Sequence, residues 1–486
     1  MAGIDPATRK KVLRVISISL LLDLVCPASN PRTLVAPAPA PVQGFHMPQF
    51  FRVANAAPSS RQVSFTFILP LFPKLLEYYR DNEASAIALA GENAPQTLLQ
   101  TILSYLNAYK QAFDRKIDSR YDIVLLGGAL GSLFSILQAI ASPVIGRISD
   151  RYGRRNALLA SMTGNIFSVL LWVAAVDFRT FLASRVVGGL SEGNVQLATA
   201  MATDISDEQN RGSTMAMIGA CFSIAFTFGP MLGAYLSTIE SVAANPFATA
   251  AGVSLALIVL ETLYLWKFLP ETLPSKTKLR KDGGASEKLK DKASPPDAPV
   301  QRTNSFALLS AIHFVFLLFF SGMESSLSFM TYDLFGFTSA RNGRLLGFIG
   351  LVASLIQGGV TRRLPPLRSL RIGVVACLAA FMILSRVTSV AGLYGAATCL
   401  AITSATVVTG LNALTSFEAD ATERGGKLGN MRSWGQLGRG LGPVLFTSIY
   451  WWAGREVAYT MGTMGMMIVL GGVFVGLKAP ARSGQK

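Results

Sequence analysis

Residues 146–155 read Gly-Arg-Ile-Ser-Asp-Arg-Tyr-Gly-Arg-Arg, five charged residues in ten, in a chain that is 15% charged overall. This decade joins two apolar stretches. Residues 122–145 precede it, and residues 156–176 (NALLASMTGNIFSVLLWVAAV) follow it without one charged side chain. A membrane-crossing helix needs about 20 mostly apolar residues, because hydrocarbon satisfies no free backbone group. Both stretches meet that length, so the decade reads as a short loop between two spans. Gly146 and Gly153 permit a tight turn there. Asp150 can accept from free N–H groups at a helix N-terminus, and the arginines complement carboxylates and lipid phosphates. A basic loop beside a membrane is common and accounts for the arginines, but not for Gly, Asp and Gly at these spacings.

Outward from the loop the alternation continues. Spans are expected at 11–24 joined with 63–77, then at 122–145, 156–176, 179–202, 213–236, 246–268, 305–332, 343–361, 370–388, 390–414, 428–452 and 457–477, twelve in all. The chain has 486 residues, of which 51% are hydrophobic, and a formal charge of +16. A soluble domain of this size would carry about a quarter charged residues. The excess Lys and Arg sit in short clusters between spans, all on one side if twelve spans alternate. That pattern places both termini and the central linker in the cytosol, and it argues against a nucleic-acid surface. The four cysteines are scattered and there are two histidines, His46 and His313. Neither metal nor disulfide spacing appears, so no cofactor and no enzyme is expected.

Residues 269–304 form one long polar linker. It divides the chain into an N-terminal six-span bundle, 1–268, and a C-terminal one, 305–486. The halves echo each other. Arg211-Gly212 precedes Gly229-Pro230 by 18 positions, and Arg424-Gly425 precedes Gly442-Pro443 by the same 18. Ser135–Gln138 (SILQ) is matched by Ser354–Gln357 (SLIQ). Internal duplication of this kind is expected of many transporter folds.

Residues 25–62 break the pattern, with seven of the 23 prolines and no acidic residue. They separate two fragments that are each too short to span. Joined, 12–24 and 63–78 make one ordinary span with a proline-bent end. The segment reads as a translated, unspliced intron, since Val25 fits a GT start and Gln62 a CAG end; the alternative is a genuine Pro-rich insertion. The long connection 79–121 holds an amphipathic stretch, 97–113, suited to an interfacial helix.

Gly146, Asp150, Arg151, Gly153, Arg154 and Arg155 resemble the signature loop of the major facilitator superfamily. Arg185-Val-Val-Gly-Gly resembles that superfamily's R-x-x-x-G element, and Gly229-Pro230-Met-Leu-Gly233 the G-P-x-x-G element of its proton-coupled antiporters. Leu269-Pro-Glu-Thr-Leu-Pro274 recurs in drug:H⁺ antiporter relatives. Across most of the chain the resemblance is to the tetracycline transporter-like branch, carried by LLLDL (20–24), ILPLFP (68–73), VLLGGALGSLFSILQ (124–138), ASRVVGGLSEGN (183–194), FSGMESSLSF (320–329) and IGLVASLIQGG (349–359). It implies an all-α membrane protein of twelve helices in two pseudo-symmetric bundles. It also implies transport of organic anions or drug-like solutes by alternating access, and the leading expectation is a proton-coupled exporter. The expected partners are the bilayer, protons and a small solute, and the expected state is a monomer. An uncoupled facilitator and a non-transporting receptor or adaptor of the same fold are the alternatives.

Ionisable groups within spans are functional candidates by default. Asp23 lies about 18 Å into span one by helical rise. Arg185 and Glu192, seven apart, share a helical face and are candidates for a buried pair or a proton site; by resemblance the arginine is the proton-relevant member. Glu324 lies about 27 Å into span seven, as a gate or an interfacial residue. Gln138 and Gln357, Asn194, Arg432 and Gln436 are candidates for the substrate cavity. Arg432, Gln436 and Arg439 attract an anion or pair with Asp150, Glu418 or Asp420.

Overall fold

The computed structural model describes residues 75–83, 96–113, 122–207, 210–236, 245, 247–273, 303–420 and 423–480. Most of span one with Asp23, the 25–62 segment and most of the linker lie outside the described residues. Among the described residues there is no strand. After a helical segment at 75–83, the helices are α1 (Leu98–Gln111), α2 (Asp122–Tyr152), α3 (Arg154–Val173), α4 (Phe178–Ser191), α5 (Asn194–Asp204), α6 (Arg211–Leu236), α7 (Ala248–Phe268), α8 (Phe306–Phe335), α9 (Ser339–Gly359), α10 (Pro366–Arg386), α11 (Val390–Phe417) and α12 (Arg424–Gly471). Eight helical stretches among the described residues are long and apolar enough to cross a membrane.

Start signals are local. Thr97 opens α1 with a capping box: its hydroxyl accepts from Gln100 N, and the Gln100 side chain accepts from Thr97 N. Asp177 caps α4 and Ser389 caps α11 through their side chains. Inside α12 the chain reverses at Gly454, with φ 85° and ψ 175°, a conformation essentially reserved for glycine. That reversal separates the spans expected at 428–452 and 457–477.

Two sequence expectations are corrected. The helix α2 does not end at residue 145 but runs through the charged decade to Tyr152, so Gly146 is helical and only Gly153, with φ 104°, makes the turn. The span expected at 179–202 is two helices, α4 and α5, broken at Glu192–Gly193. There Ser161 Oγ on α3 accepts from Gly193 N at 3.0 Å and bonds Asn194 Oδ1 at 2.6 Å, so a neighbouring hydroxyl meets the backbone group that the break frees.

The C-terminal half buries one large cluster that includes Phe316, Phe381, Phe446 and Tyr459. The N-terminal half buries two, around Tyr79, Trp172 and Phe178, and around Met162, Leu197 and Ile258. Between the halves, α2 lies along α12 and α6 lies along α9.

Candidate functional site

At the end of the bundle that carries residues 146–155, here called the basic end, the two halves are tied together. Asp150 near the end of α2 accepts from the first amides of α12: Gly425 N at 2.9 Å on one oxygen and Gly426 N at 2.6 Å on the other. These amides have no intrahelical acceptor, and the helix N-terminus carries partial positive charge, so a carboxylate is the group suited to them. Arg154, fully buried, donates from one nitrogen to Asp150 and to Ser149 Oγ at 2.5 and 2.7 Å, and from another to Asp204 at 2.9 Å. Asp204 also accepts from Arg424 of the other half at 2.6 Å. The result is an alternating chain of two carboxylates and two guanidiniums, which meets the cost of burying each charge with a hydrogen-bonded opposite. Gly146 has Gly425 and Gly426 directly against its Cα, so any side chain there would push the halves apart.

Glu271, in the stretch after α7, caps α3. Its carboxylate accepts from Arg154 N at 2.9 Å and Arg155 N at 3.3 Å, and from Thr272 N and Leu273 N. Arg155 donates to Trp266 O, and Arg151 lies over the Tyr152 ring at 5.5 Å. Gly229, Pro230 and Gly233 fall within α6.

Deeper in, the two matched glutamines both meet the opposite half. Arg432 on α12 donates to Gln138 Oε1 at 3.5 Å. Gln357 Oε1 on α9 accepts from Ser223 Oγ on α6 at 2.5 Å, and its Nε2 donates to Thr409 at 3.4 Å. Thus equivalent side chains form equivalent inter-half contacts.

Arg185 is buried, with its guanidinium 5.4 Å from the Phe181 ring and 5.9 Å from the Trp172 ring, and it donates to Ser184 Oγ. Glu192 stands at the C-terminal end of α4, directly after Ser191. Asn194 donates to Met162 Sδ on α3. Gln436 is buried on α12.

Arg439 donates to Glu324 at 3.2 Å. It does not pair with Asp150 or Glu418. Asp150 is engaged as above, and Glu418 accepts from Thr303 N, Asn304 N and both of their side chains. Sequence reasoning missed Asp204, Glu271 and Glu418 as organising carboxylates. The available signal was that each stands just beyond the end of an apolar stretch, beside a helix terminus that needs an acceptor.

On the opposite end, α1 reaches the C-terminal half: Tyr109 Oη and Ser448 Oγ are 2.5 Å apart, and Tyr109 and Phe113 pack against Trp451.

Residues 84–443 match the family model described as Major Facilitator Superfamily. Among curated relatives, mouse major facilitator superfamily domain-containing protein 10 is 34% identical over 429 residues, covering 82% of this chain and 86% of the relative. The class G tetracycline resistance protein of Vibrio anguillarum is 27% identical over 330 residues, covering 66% of this chain and 80% of the relative. Among solved structures, the crystal structure of the human organic anion transporter MFSD10 (TETRAN) superposes with a TM-score of 0.76 at 28% identity, covering 96% of this chain and 99% of that one.

Proposed function

The chain belongs to the major facilitator superfamily, and from that premise we propose that it is a proton-coupled carrier of organic anions that works by alternating access. The observation that carries this reading is one face of α12. Arg432, Gln436 and Arg439 stand at positions i, i+4 and i+7, which bring them onto a single helical face. Arg432 on that face touches Gln138 of the other half, so the face is turned to the seam between the halves. Two guanidiniums on that seam are a receptor for carboxylate or sulfonate groups, which they bind through paired N–H donors. The similarity to a human organic anion transporter points to the same substrate class.

The Asp150–Gly425/Gly426 and Asp204–Arg424 contacts act as the latch that holds the seam shut at the basic end, which the Lys/Arg clusters assign to the cytosol. Opening requires both carboxylates to release α12. Asp23 in span one, and Arg185 with Glu192, are the proposed proton-handling groups.

The test is flux in proteoliposomes, with and without an imposed pH gradient, on the full chain and on a chain lacking 25–62, using a panel of organic anions. Gradient-driven flux that disappears in Asp23→Asn is expected. Flux that ignores the gradient would make the protein an uncoupled facilitator, and no flux from inserted, folded protein would overturn the carrier reading.

A further inference from the structure

The Glu324–Arg439 pair is unusual for its depth and exposure. Glu324 stands in the middle third of α8 (Phe306–Phe335), and Arg439 in the middle third of the part of α12 that precedes Gly454; each stretch is about 45 Å long against a hydrocarbon core of about 30 Å, so the pair lies inside the bilayer. The side chains are 47% and 40% exposed, joined by a single 3.2 Å contact. A charged group open to hydrocarbon is costly, so an exposed ion pair at this depth faces water. The direction is fixed by α12. Arg439 shares its face with Arg432, which touches the other half. Trp434, Leu441 and Leu445, on the opposite face, are exposed and apolar, as a lipid-facing surface should be.

Arginine carries five N–H donors, and Arg439 spends one on Glu324. We propose that Glu324 is a resident counter-ion that an anionic substrate displaces from Arg439, and that a proton taken up by Glu324 permits the exchange. The inference rests on the carrier reading above and adds the sense of coupling. When the site is empty, the guanidinium and carboxylate sum to zero charge. A proton from solvent converts Glu324 to a neutral acid, the Arg439 N–H moves from the Glu324 oxygen to the substrate carboxylate, and the sum is again zero. Anion without proton leaves a net negative site, and proton without anion a net positive one, both penalised in the membrane interior. Empty and fully loaded forms therefore reorient readily and half-loaded forms do not, so one proton and one anionic group cross in the same direction.

No other charged group disturbs this balance within hydrogen-bonding reach among the described residues. On α12, Arg432 lies two turns toward the basic end and bonds Gln138. Tyr450 donates to Asp333, and Tyr459 bonds Ser326. On α8, His313 is buried with Nδ1 at 3.1 Å from Met431 O. The helix α11 and the short turn at 472–476, which also pack on α8, contain no charged residue.

The experiment measures binding and uptake of radiolabelled hippurate, a monocarboxylate ionised at both pH values, by the full chain in proteoliposomes at mildly acidic and at neutral pH. In the wild type, apparent affinity should rise as pH falls, by up to about tenfold per pH unit for one linked proton. Glu324→Gln imitates the protonated acid: it should bind at neutral pH as tightly as the wild type does in acid, lose the pH slope, and lose gradient-driven accumulation while keeping exchange. Arg439→Gln should lose binding at both pH values, and the neutral double variant Glu324→Gln/Arg439→Gln should melt as the wild type does yet fail to bind. A wild-type pH slope in Glu324→Gln, or wild-type binding in either arginine variant, overturns the inference and leaves the carrier reading standing. No uptake by the folded wild type overturns both.

Discussion

Asp150 spends both of its oxygens on the amides of Gly425 and Gly426, and it is held in place by Arg154. Charge-assisted bonds of this kind are worth about 1.5–3 kcal/mol each. Asp150→Asn keeps one acceptor and loses the charge, so the closed form at the basic end should weaken by roughly that amount, about tenfold or more in its ratio to the open form. The measurement is the labelling rate of a cysteine placed at Ser142, which is fully buried against the seam, by a membrane-impermeant maleimide from the basic side. Faster labelling in Asp150→Asn is expected, and an unchanged rate would remove the carboxylate from the latch. The Gly-x-x-x-Asp spacing was legible in the sequence as something more than a basic loop. The partner was not: Asp150 and Gly425 are 275 positions apart, and no local pattern says which helix N-terminus the carboxylate will meet.

At the scale of elements, apolar length alone located most of the helices, because the bilayer demands it of each span independently. It failed where local polar chemistry decides. The end of α2 carries Arg147, Asp150 and Arg151, which reads as loop, yet the helix continues because these side chains find partners around its last turns. Span four reads as unbroken and apolar, yet it divides at Gly193 against a hydroxyl from α3. The reversal in α12 rests on one residue. Gly454→Ala should cost about 1–3 kcal/mol, the penalty of holding a side chain in a glycine-only conformation. A melting temperature lowered by a few degrees in detergent is the expected outcome; wild-type stability would mean that the turn relaxes without cost.

For the whole molecule, the duplication seen in the sequence becomes a crossed pair of contacts. The Arg424-Gly425 start of α12 docks on the α2–α3 turn of the other half. The Arg211-Gly212 start of α6 docks on the C-terminal half, with Arg211 donating to Ser416 O at 3.3 Å and lying 4.6 Å from the Phe417 ring, and Gly212 against Pro366. The two are not equal. The first is fastened by Asp150 and Asp204, whereas the matching turn, 361–371, has Pro365 and Pro366 and no acidic residue. The Asp150-to-amide contact therefore has no counterpart on that turn, and we propose that this contact sets the energetic control of opening on α2 and α12.

That claim is open to a direct measurement. An added Cβ at Gly426 would lie 3.4 Å from Cγ of Arg147, so a cysteine at each position, with Cys26, Cys221, Cys377 and Cys399 replaced, falls within disulfide reach. Oxidation is expected to stop organic-anion flux in proteoliposomes, and reduction to restore it. Undiminished flux through a quantitatively cross-linked protein would contradict it.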